Sequence, residues 1–512
     1  MSSPTMPDAR ARAGGREWAG LAVLALPTLL LAIDNSVLFL ALPELSTDLR
    51  PTATQELWIM DSYGFLVAGF LLTMGGLGDR IGRRRLLLGG AAAFGAASVL
   101  AAYSTSAEML IAARALLGIA GSTLMPSALA LISTMFRDPR QRSLAVGVFV
   151  SCFMGGAALG PVVGGLLLDH FWWGSVFLLG VPVMVLLFVA GPVLLPAHRG
   201  SGSGRLDLPS VGLSLAAVLP VVYGLKELAG QGPWWRALLV AAAGAGFAAA
   251  FVRRQRRLAD PLLDLRLFGR PAFRAALGIL LCGMVLQGGL YLVMSQYLQL
   301  VEGLSPLRAG LWLVSPALAL VVGSLLSPLL ARRLRPATVI GAGLAVSAAG
   351  FAVLGLAGSD AGLPVLVTAM AVGFFGGAPI GALGIDLVVG SAPPEKAGSA
   401  SSVAETSGEL GVALGVATLG SVAGAVYRAQ VVVPPATPGE AADAVSATLA
   451  GAVTAAERLP AGLASEVLET ARSAFTTGLS VVAVVSAGIA AVLAVLAGTT
   501  LRRVRSGVRQ EP

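Results

Sequence analysis

An eight-residue basic turn, GDRIGRRR at residues 78–85, lies between two segments that are too apolar to be exposed to water. The flanking segments, 58–77 and 86–104, are each long enough to cross a bilayer as a helix. A turn with four arginines between two such helices must lie in water, and the positive-inside rule places it in the cytoplasm. Any short cytoplasmic loop is expected to be basic, but that does not explain Asp79 between Gly78 and Gly82. These glycines allow a close backbone approach, so that the carboxylate can meet an arginine or a helix end.

Composition indicates a polytopic membrane protein. Hydrophobic residues make up 56% of the 512-residue chain, charged residues make up 12%, and the mean hydropathy is +0.83. The net charge of +8 does not form a nucleic-acid-binding patch, because 27 of the 35 Lys and Arg residues fall in segments predicted to be cytoplasmic loops or termini. The two cysteines, Cys152 and Cys282, lie within apolar segments, which excludes a disulfide framework.

About fourteen spans are predicted, in an arrangement of six, two and six helices, with both termini in the cytoplasm. The predicted parts are a cytoplasmic N-terminus at 1–18, a six-helix bundle at 19–196, a linker with two extra helices at 197–271, a second six-helix bundle at 272–498 that includes a long extracellular loop at 426–471, and a cytoplasmic tail at 499–512. The extracellular loop is rich in Ala and Glu. Two short amphipathic helices packed as a hairpin and a solvated spacer are both compatible with it.

The octet resembles the signature between the second and third helices of major facilitator superfamily transporters. The residues that carry the resemblance are Gly78, Asp79, Arg80, Gly82, Arg83 and Arg84. In that family the Asp–Arg contacts hold the two halves of the molecule together. The six-two-six arrangement is similar to that of the fourteen-helix drug:proton antiporters. The resemblance implies an all-α fold of two six-helix bundles plus two inserted helices. The corresponding stretch of the second bundle, SPLLARRLRP at 327–336, retains arginines and lacks the Asp.

Ionisable side chains inside a membrane are costly, so each is a candidate functional residue. They are Asp34, Asp61, Arg114, Asp386, Glu405 and Glu409. Asp34 lies midway along the first span, in LAIDNSVLFLALP, which resembles the first-helix signature of the drug:proton antiporters. A carboxylate that alternates between protonated and ionised states can carry a proton or hold a cation. The alternative is that Asp34 is an inert structural partner of Arg114.

Arg114 opens the segment RALLGIAGSTLMP, in which Gly118 and Gly121 lie on the same helix face as the arginine. Close helix packing at these glycines would bury the guanidinium, and Asp34 is the obvious acid to pair with it. The segment resembles the fourth-helix motif of the family, in which the arginine is implicated in proton transfer. A structural clamp is the alternative.

Asp61 begins the second span, in WIMDSYGFL, and has two possible roles. The first is an exposed acid at the start of a helix. The second is a functional carboxylate, because the segment resembles that of exporters of quaternary ammonium compounds, which have an Asp followed by a Tyr at this point. In the second case Tyr63 can offer a cation–π face to a substrate.

A glycine-rich stretch, GAALGPVVGG at 156–165, predicts close helix crossing in the fifth span. Small residues four positions apart are a common packing pattern. The full motif, formed by Gly156, Gly160, Pro161, Gly164 and Gly165, resembles the antiporter motif of exporters rather than importers.

Glu405 and Glu409 are four residues apart, so they share one face of a helix. They can release protons in sequence or flank a large cation, unless the region is interfacial and hydrated. Asp386 lies towards the predicted cytoplasmic end of its span, where a hydrated position is also compatible with the sequence.

The sequence contains no phosphate-binding G-x-x-x-x-G-K-[ST] loop, and neither His170 nor His198 has a metal-ligand companion. We therefore expect neither an enzyme nor an ATP-driven pump. We expect the proton motive force to be the energy source, with no cofactor and no metal. The resemblance implies a monomeric, multi-pass protein of the bacterial cytoplasmic membrane that exports lipophilic, cationic drugs in exchange for protons by alternating access. A dedicated exporter of an endogenous antibiotic, for self-resistance, is the alternative.

Overall fold

The computed structural model describes residues 13–136, 138–196, 208–229, 234–258, 265–331, 333–357, 362–390 and 397–500, and within these ranges the chain is helical with no strands. The helices are α1 (Gly15–Leu49), α2 (Ala53–Ile81), α3 (Arg83–Ala102), α4 (Ala107–Met135), α5 (Pro139–His170), the single turn α6 (Ser175–Leu178), α7 (Gly180–Leu194), α8 (Leu208–Ala229), α9 (Trp234–Arg257), α10 (Pro271–Gln296), α11 (Pro306–Ala331), α12 (Pro336–Leu356), α13 (Leu363–Gly390), α14 (Ala397–Gln430), α15 (Gly439–Ala447), α16 (Leu449–Ala456) and α17 (Ala461–Thr500). A π-helical turn, Tyr297–Val301, follows α10.

Ten helical segments in the described ranges are long and apolar enough to cross a membrane. The predicted all-helical, multi-pass architecture is therefore confirmed, whereas the count of fourteen spans stays a prediction. Large apolar side chains on the outside of the bundle agree with a lipid environment: Val189 is 66% exposed and Leu356 is 79% exposed.

Polar and glycine residues determine where the helices start and stop. Thr52 accepts the backbone N–H of Gln55 while the Gln55 side chain accepts the N–H of Thr52, which forms a capping box before α2. Ser106 caps α4 in a similar way through the N–H of Met109. Gly82 separates α2 from α3 with φ of 98°, a conformation that side chains other than glycine rarely adopt.

The same packing pattern occurs in the first and second groups of helices. In the first group α1 packs against α5, α2 against α4, and α3 against α7; in the second, α10 packs against α14, α11 against α13, and α12 against α17. The two groups contact each other where α2 packs against α14 and where α5 packs against α11. The described chain thus forms two similar halves, as expected of a transporter with internal repeats. Helices α8 and α9 pack against each other, and α8 also contacts α2 and α14.

The halves meet at the end of the bundle that carries residues 103–106, 171–174 and 302–305, opposite the basic turn at 78–85. We call this the far end. Asp169 near the end of α5 accepts the backbone N–H of Leu307 at 3.3 Å and the hydroxyl of Ser305 at 3.4 Å. One turn further into the membrane-spanning region, the backbone of Pro161 touches Gly310 on α11. Helix α11 is therefore capped by a carboxylate of the opposite half.

Residues 431–460 form the hairpin of α15 and α16, so the helical alternative for this region is correct. The structure ends α14 at Gln430 and begins α17 at Ala461, which shortens the connection relative to the predicted 426–471 loop. The hydroxyl of Tyr427, a residue that is 1% exposed, donates to the carbonyl of Val445 at 2.7 Å. Because α16 contacts both α17 and α1, the hairpin covers the far end of both halves.

Candidate functional site

The centre of the candidate site is a buried ion pair between α1 and α4. Nη1 of Arg114 donates to Oδ2 of Asp34 at 3.1 Å. Arg114 is only 1% exposed and Asp34 is 9% exposed, so water screens the pair little. Nε of Arg114 also donates to the backbone carbonyl of Ile59 on α2, at 3.2 Å. The structure thus brings together the acid and the base that the sequence paired, and adds a third helix to them.

The aromatic ring of Tyr63 forms the remaining wall around Arg114. The guanidinium carbon lies 4.7 Å from the ring centroid, which is within the range of a cation–π contact. Gly118, one turn along α4, lies directly against the Tyr63 backbone, and Gly121 lies against its hydroxyl. A Cβ at Gly118 would lie 2.5 Å from the Tyr63 carbonyl oxygen and would push α4 from α2, whereas a Cβ at Gly121 would make a tight contact of 3.2 Å with the hydroxyl. The sequence analysis considered the Tyr63 ring as a binding face for a substrate cation. In this structure that ring contacts Arg114.

Asp61 faces the opposite half of the molecule. The residue is 1% exposed, so the interpretation as an exposed helix-start acid is wrong. It shares a face of α2 with Gly64 and Phe65, at positions i, i+3 and i+4. Both neighbours contact α14: Phe65 packs on Ala413, and a Cβ at Gly64 would lie 3.4 Å from the same side chain. Asp61 therefore lies where α2 meets α14.

Glu405 and Glu409 occupy α14 one helical turn apart and are half-buried. The carbonyl of Glu409 lies against Gly64 of α2. Arg114 is bound to the Ile59 carbonyl of the same helix, so Glu409 lies against the helix that holds the guanidinium of the first half.

The glycine motif of α5 forms two contact surfaces. Gly156, Gly160 and Gly164 face α1, where a Cβ would collide with Leu29, Ser36 and Val37 respectively. Gly165 faces α11 of the other half, against the backbone of Leu307. The motif therefore holds the helix that carries Asp34 and also closes the far end.

The basic turn is described in part. The side chains of Asp79 and Arg80, and that of Asp386 near the end of α13, lie outside what the structure describes. Arg83 folds over Gly78, where a Cβ would lie 2.8 Å from its Cδ. Arg84 donates through Nη1 to the carbonyls of Pro192 and Leu195, at 3.1 and 3.0 Å, where α7 ends. Arg84 thus binds two carbonyls of its own half and stabilises a helix C-terminus.

Sequence reasoning missed a buried link between the halves at Ser295. Its hydroxyl donates to the carbonyl of Phe39 at 2.9 Å, and the residue is 0% exposed. Tyr291, one turn earlier on α10, packs edge-on against Phe39 with ring centroids 5.0 Å apart. Gln287, one turn before Tyr291, lines a small cavity beside Phe374. A lone serine in an apolar helix gave no signal of the link in the sequence.

Within the described ranges, no group of three or more His, Cys, Asp or Glu residues could hold a metal ion. The arrangement is that of a few ionisable groups buried between the helices of two similar halves, which is typical of ion-coupled membrane transporters.

Comparisons with known proteins agree with this geometry. The family model of the Major Facilitator Superfamily matches residues 24–416. The chain is 43% identical to the multidrug efflux pump LfrA of Mycolicibacterium smegmatis, over 95% of this chain and 97% of that protein. It is 34% identical to the methyl viologen resistance protein SmvA of Salmonella typhimurium (92% and 96% covered) and 31% identical to the tetracenomycin C resistance and export protein of Streptomyces glaucescens (94% and 91% covered).

Among solved structures, a bacterial homologue of the human lysosomal transporter Spinster, in an inward-facing conformation, matches with a TM-score of 0.64 over 97% of this chain and all of that one. At 17% identity this likeness concerns the fold alone. The sequence matches and the two-halved helical fold together lead to one conclusion: the chain belongs to the Major Facilitator Superfamily and is a membrane transporter, not an enzyme.

Proposed function

We propose that the chain exports lipophilic cations across the bacterial cytoplasmic membrane in exchange for protons, by alternating access of its two halves. The observation that carries the proposal is the Asp34–Arg114 pair, held at 3.1 Å in a buried site between α1, α2 and α4. A buried charge pair is rarely kept for stability, because removing two charges from water costs about as much as their attraction returns. A role in which Asp34 gains and loses a proton better explains why the pair is buried.

The geometry supports a specific coupling route. Protonation of Asp34 would remove the charge that holds Nη1 of Arg114, leaving the guanidinium on the Ile59 carbonyl and the Tyr63 ring. Both of these groups belong to α2, the helix that crosses to α14 and its acids Glu405 and Glu409. A proton at Asp34 would thus change how α2 packs between the halves, and a cation released from the acid pair would be exchanged for it.

The charge balance limits the stoichiometry. Exchange of one monovalent cation for one proton moves no net charge, so a membrane potential cannot drive it, although that potential is worth about 2.3 kcal/mol per charge per 100 mV. With several acids in the membrane, exchange of two or more protons is feasible. We propose this stoichiometry together with a monomer that uses the proton motive force and no cofactor, and with both termini in the cytoplasm. The proposed parts keep the bounds predicted from the sequence, except that the connection between α14 and α17 is 431–460.

Ethidium efflux from proteoliposomes under an imposed proton gradient tests the proposal. We expect gradient-driven efflux by the native chain and its loss in Asp34→Asn. Asp48→Asn is the matched control, because Asp48 lies on the same helix and accepts the indole N–H of Trp173 at 2.7 Å, a bond that an Asn can also accept. Equal efflux by the native chain and Asp34→Asn would exclude Asp34 as the coupling residue.

A dedicated exporter of an endogenous antibiotic is the second candidate. The likeness to the tetracenomycin C export protein, over 94% of this chain, favours it. Under that alternative the native chain would fail to move ethidium and would move a narrow set of natural products, while Asp34→Asn would still abolish the transport.

A further inference from the structure

The hairpin of the two inserted helices, α8 and α9, carries a groove that the proposed transport cycle does not use. The groove lies between the start of α8 and the end of α9, and has a volume of about 650 Å³. This size falls within the range of roughly 300–1,000 Å³ that is usual for ligand sites. Its walls differ in chemistry along their length, with small apolar residues on one side and arginines on the other.

The floor of the groove is apolar. Gly246, Ala249 and Ala250 of α9 line it together with Leu213 of α8. Their small side chains leave the space open, and a Cβ added at Gly246 would meet no atom within 4 Å. These residues precede the basic end of α9 by one to three helical turns, so the floor belongs to the part of the hairpin expected in the hydrocarbon layer.

The rim of the groove is basic. Arg253, Arg254 and Arg257 line it at the end of α9, and the first and third are exposed. Arg254 is fixed to α8 because its Nε donates to the hydroxyl of Ser210 at 3.1 Å, and Gln255 donates to the same hydroxyl at 2.7 Å. Ser210 therefore keeps the end of α9 in position, with several guanidinium groups around one opening.

We propose that this groove binds an anionic phospholipid, with the phosphate between the arginines and an acyl chain along the floor. Guanidinium groups form strong paired hydrogen bonds with phosphate oxygens. A free anion would contact the rim alone, whereas a phospholipid can place its phosphate at the rim and an acyl chain along the apolar floor. Basic pockets between membrane helices on the cytoplasmic side are suited to such headgroups, and this end of α9 is the predicted cytoplasmic end.

Lipid binding to the purified full-length chain in detergent, followed by native mass spectrometry, tests the proposal. Phosphatidylglycerol should bind more tightly than phosphatidylcholine. The variant Arg253→Gln/Arg257→Gln should lose about thirty-fold in affinity for phosphatidylglycerol, from roughly fivefold per arginine near a lipid surface. Its matched control is Arg236→Gln/Arg256→Gln, which removes the same charge from exposed positions of α9 that do not line the groove. Equal losses in the two variants would overturn the proposal, because they would show diffuse attraction rather than a site.

A second variant tests the floor without changing the charge. Gly246→Leu fills open space, so the chain should still fold, but it should weaken phosphatidylglycerol binding at least tenfold. Native-like affinity in this variant would exclude the acyl-chain contact. Competition by inorganic phosphate at concentrations equal to those of the lipid would also overturn the proposal, since it would assign the groove to a soluble anion.

Discussion

Asp34 and Arg114 are 80 positions apart in the chain and form one buried hydrogen bond. Their surroundings satisfy the arginine on three sides: a carboxylate, the Ile59 carbonyl and the Tyr63 ring. A lysine could provide the charge but not the planar, multidirectional donor that this arrangement requires. At the residue scale, the site is therefore built around the shape of a guanidinium and not only around its charge.

Breaking this pair from one side should be more damaging to stability than removing both partners. Asp34→Asn or Arg114→Gln alone leaves a buried partner without its counter-charge, which typically costs about 3–5 kcal/mol. We expect each single variant to unfold at a lower temperature in detergent, and the double variant Asp34→Asn/Arg114→Gln to recover most of the loss while remaining inactive in transport. Additive losses in the double variant would show that the two side chains are not coupled.

At the element scale, α5 shows how glycine placement determines a helix interface. Gly156 touches the backbone of Leu29 on α1, and Ala32 Cβ would lie 2.9 Å from an added Cβ. Its neighbour Gly155 points away, and a Cβ there would meet nothing within 4 Å. Two adjacent glycines in one helix therefore have different roles, which a motif alone does not reveal.

This pair forms a matched test of the helix contact. Gly156→Ala should push α5 from α1 and destabilise the protein by about 1–3 kcal/mol, the usual cost of overpacking. Gly155→Ala should be neutral or stabilising by up to about 1 kcal/mol, because alanine favours the helix. Thermal unfolding of both variants in the same detergent measures the difference. Equal melting temperatures would contradict the close α1–α5 packing.

At the scale of the whole molecule, the described contacts between halves include a group at the far end. Asp169 caps α11 across the interface, Pro161 meets Gly310 one turn inward, and the α15–α16 hairpin contacts both halves. In an alternating-access cycle these contacts must break when the far end opens. Among these contacts, the cap depends on the side chain of Asp169, so a single substitution can remove it.

Removal of this cap should shift the population of conformations. With Cys152 and Cys282 replaced, spin labels at Tyr103 and Val432, which are 60% and 66% exposed on opposite halves, report their separation by electron paramagnetic resonance. Asp169→Ala should increase the population with the longer distance. Asp169→Asn should not, because its amide oxygen can still accept the N–H of Leu307. An unchanged distance distribution in Asp169→Ala would show that the cap does not hold the far end closed.

The sequence by itself determined the features that depend on one segment at a time. Hydropathy indicated the helices, and the cost of burying charge singled out Asp34, Asp61 and Arg114. The arginines at 78–85 indicated a connection between two helices, which the structure reduces from the predicted eight-residue turn to Gly82. These inferences require no knowledge of neighbours, because each compares one stretch of chain with water or lipid. Only the tertiary structure decided which faces meet: that Tyr63 covers Arg114, and that Asp61 turns towards α14. The rotation and pairing of helices depend on contacts between residues that are distant in the sequence. The sequence of one apolar segment therefore gives little indication of which helix it packs against or which face it buries.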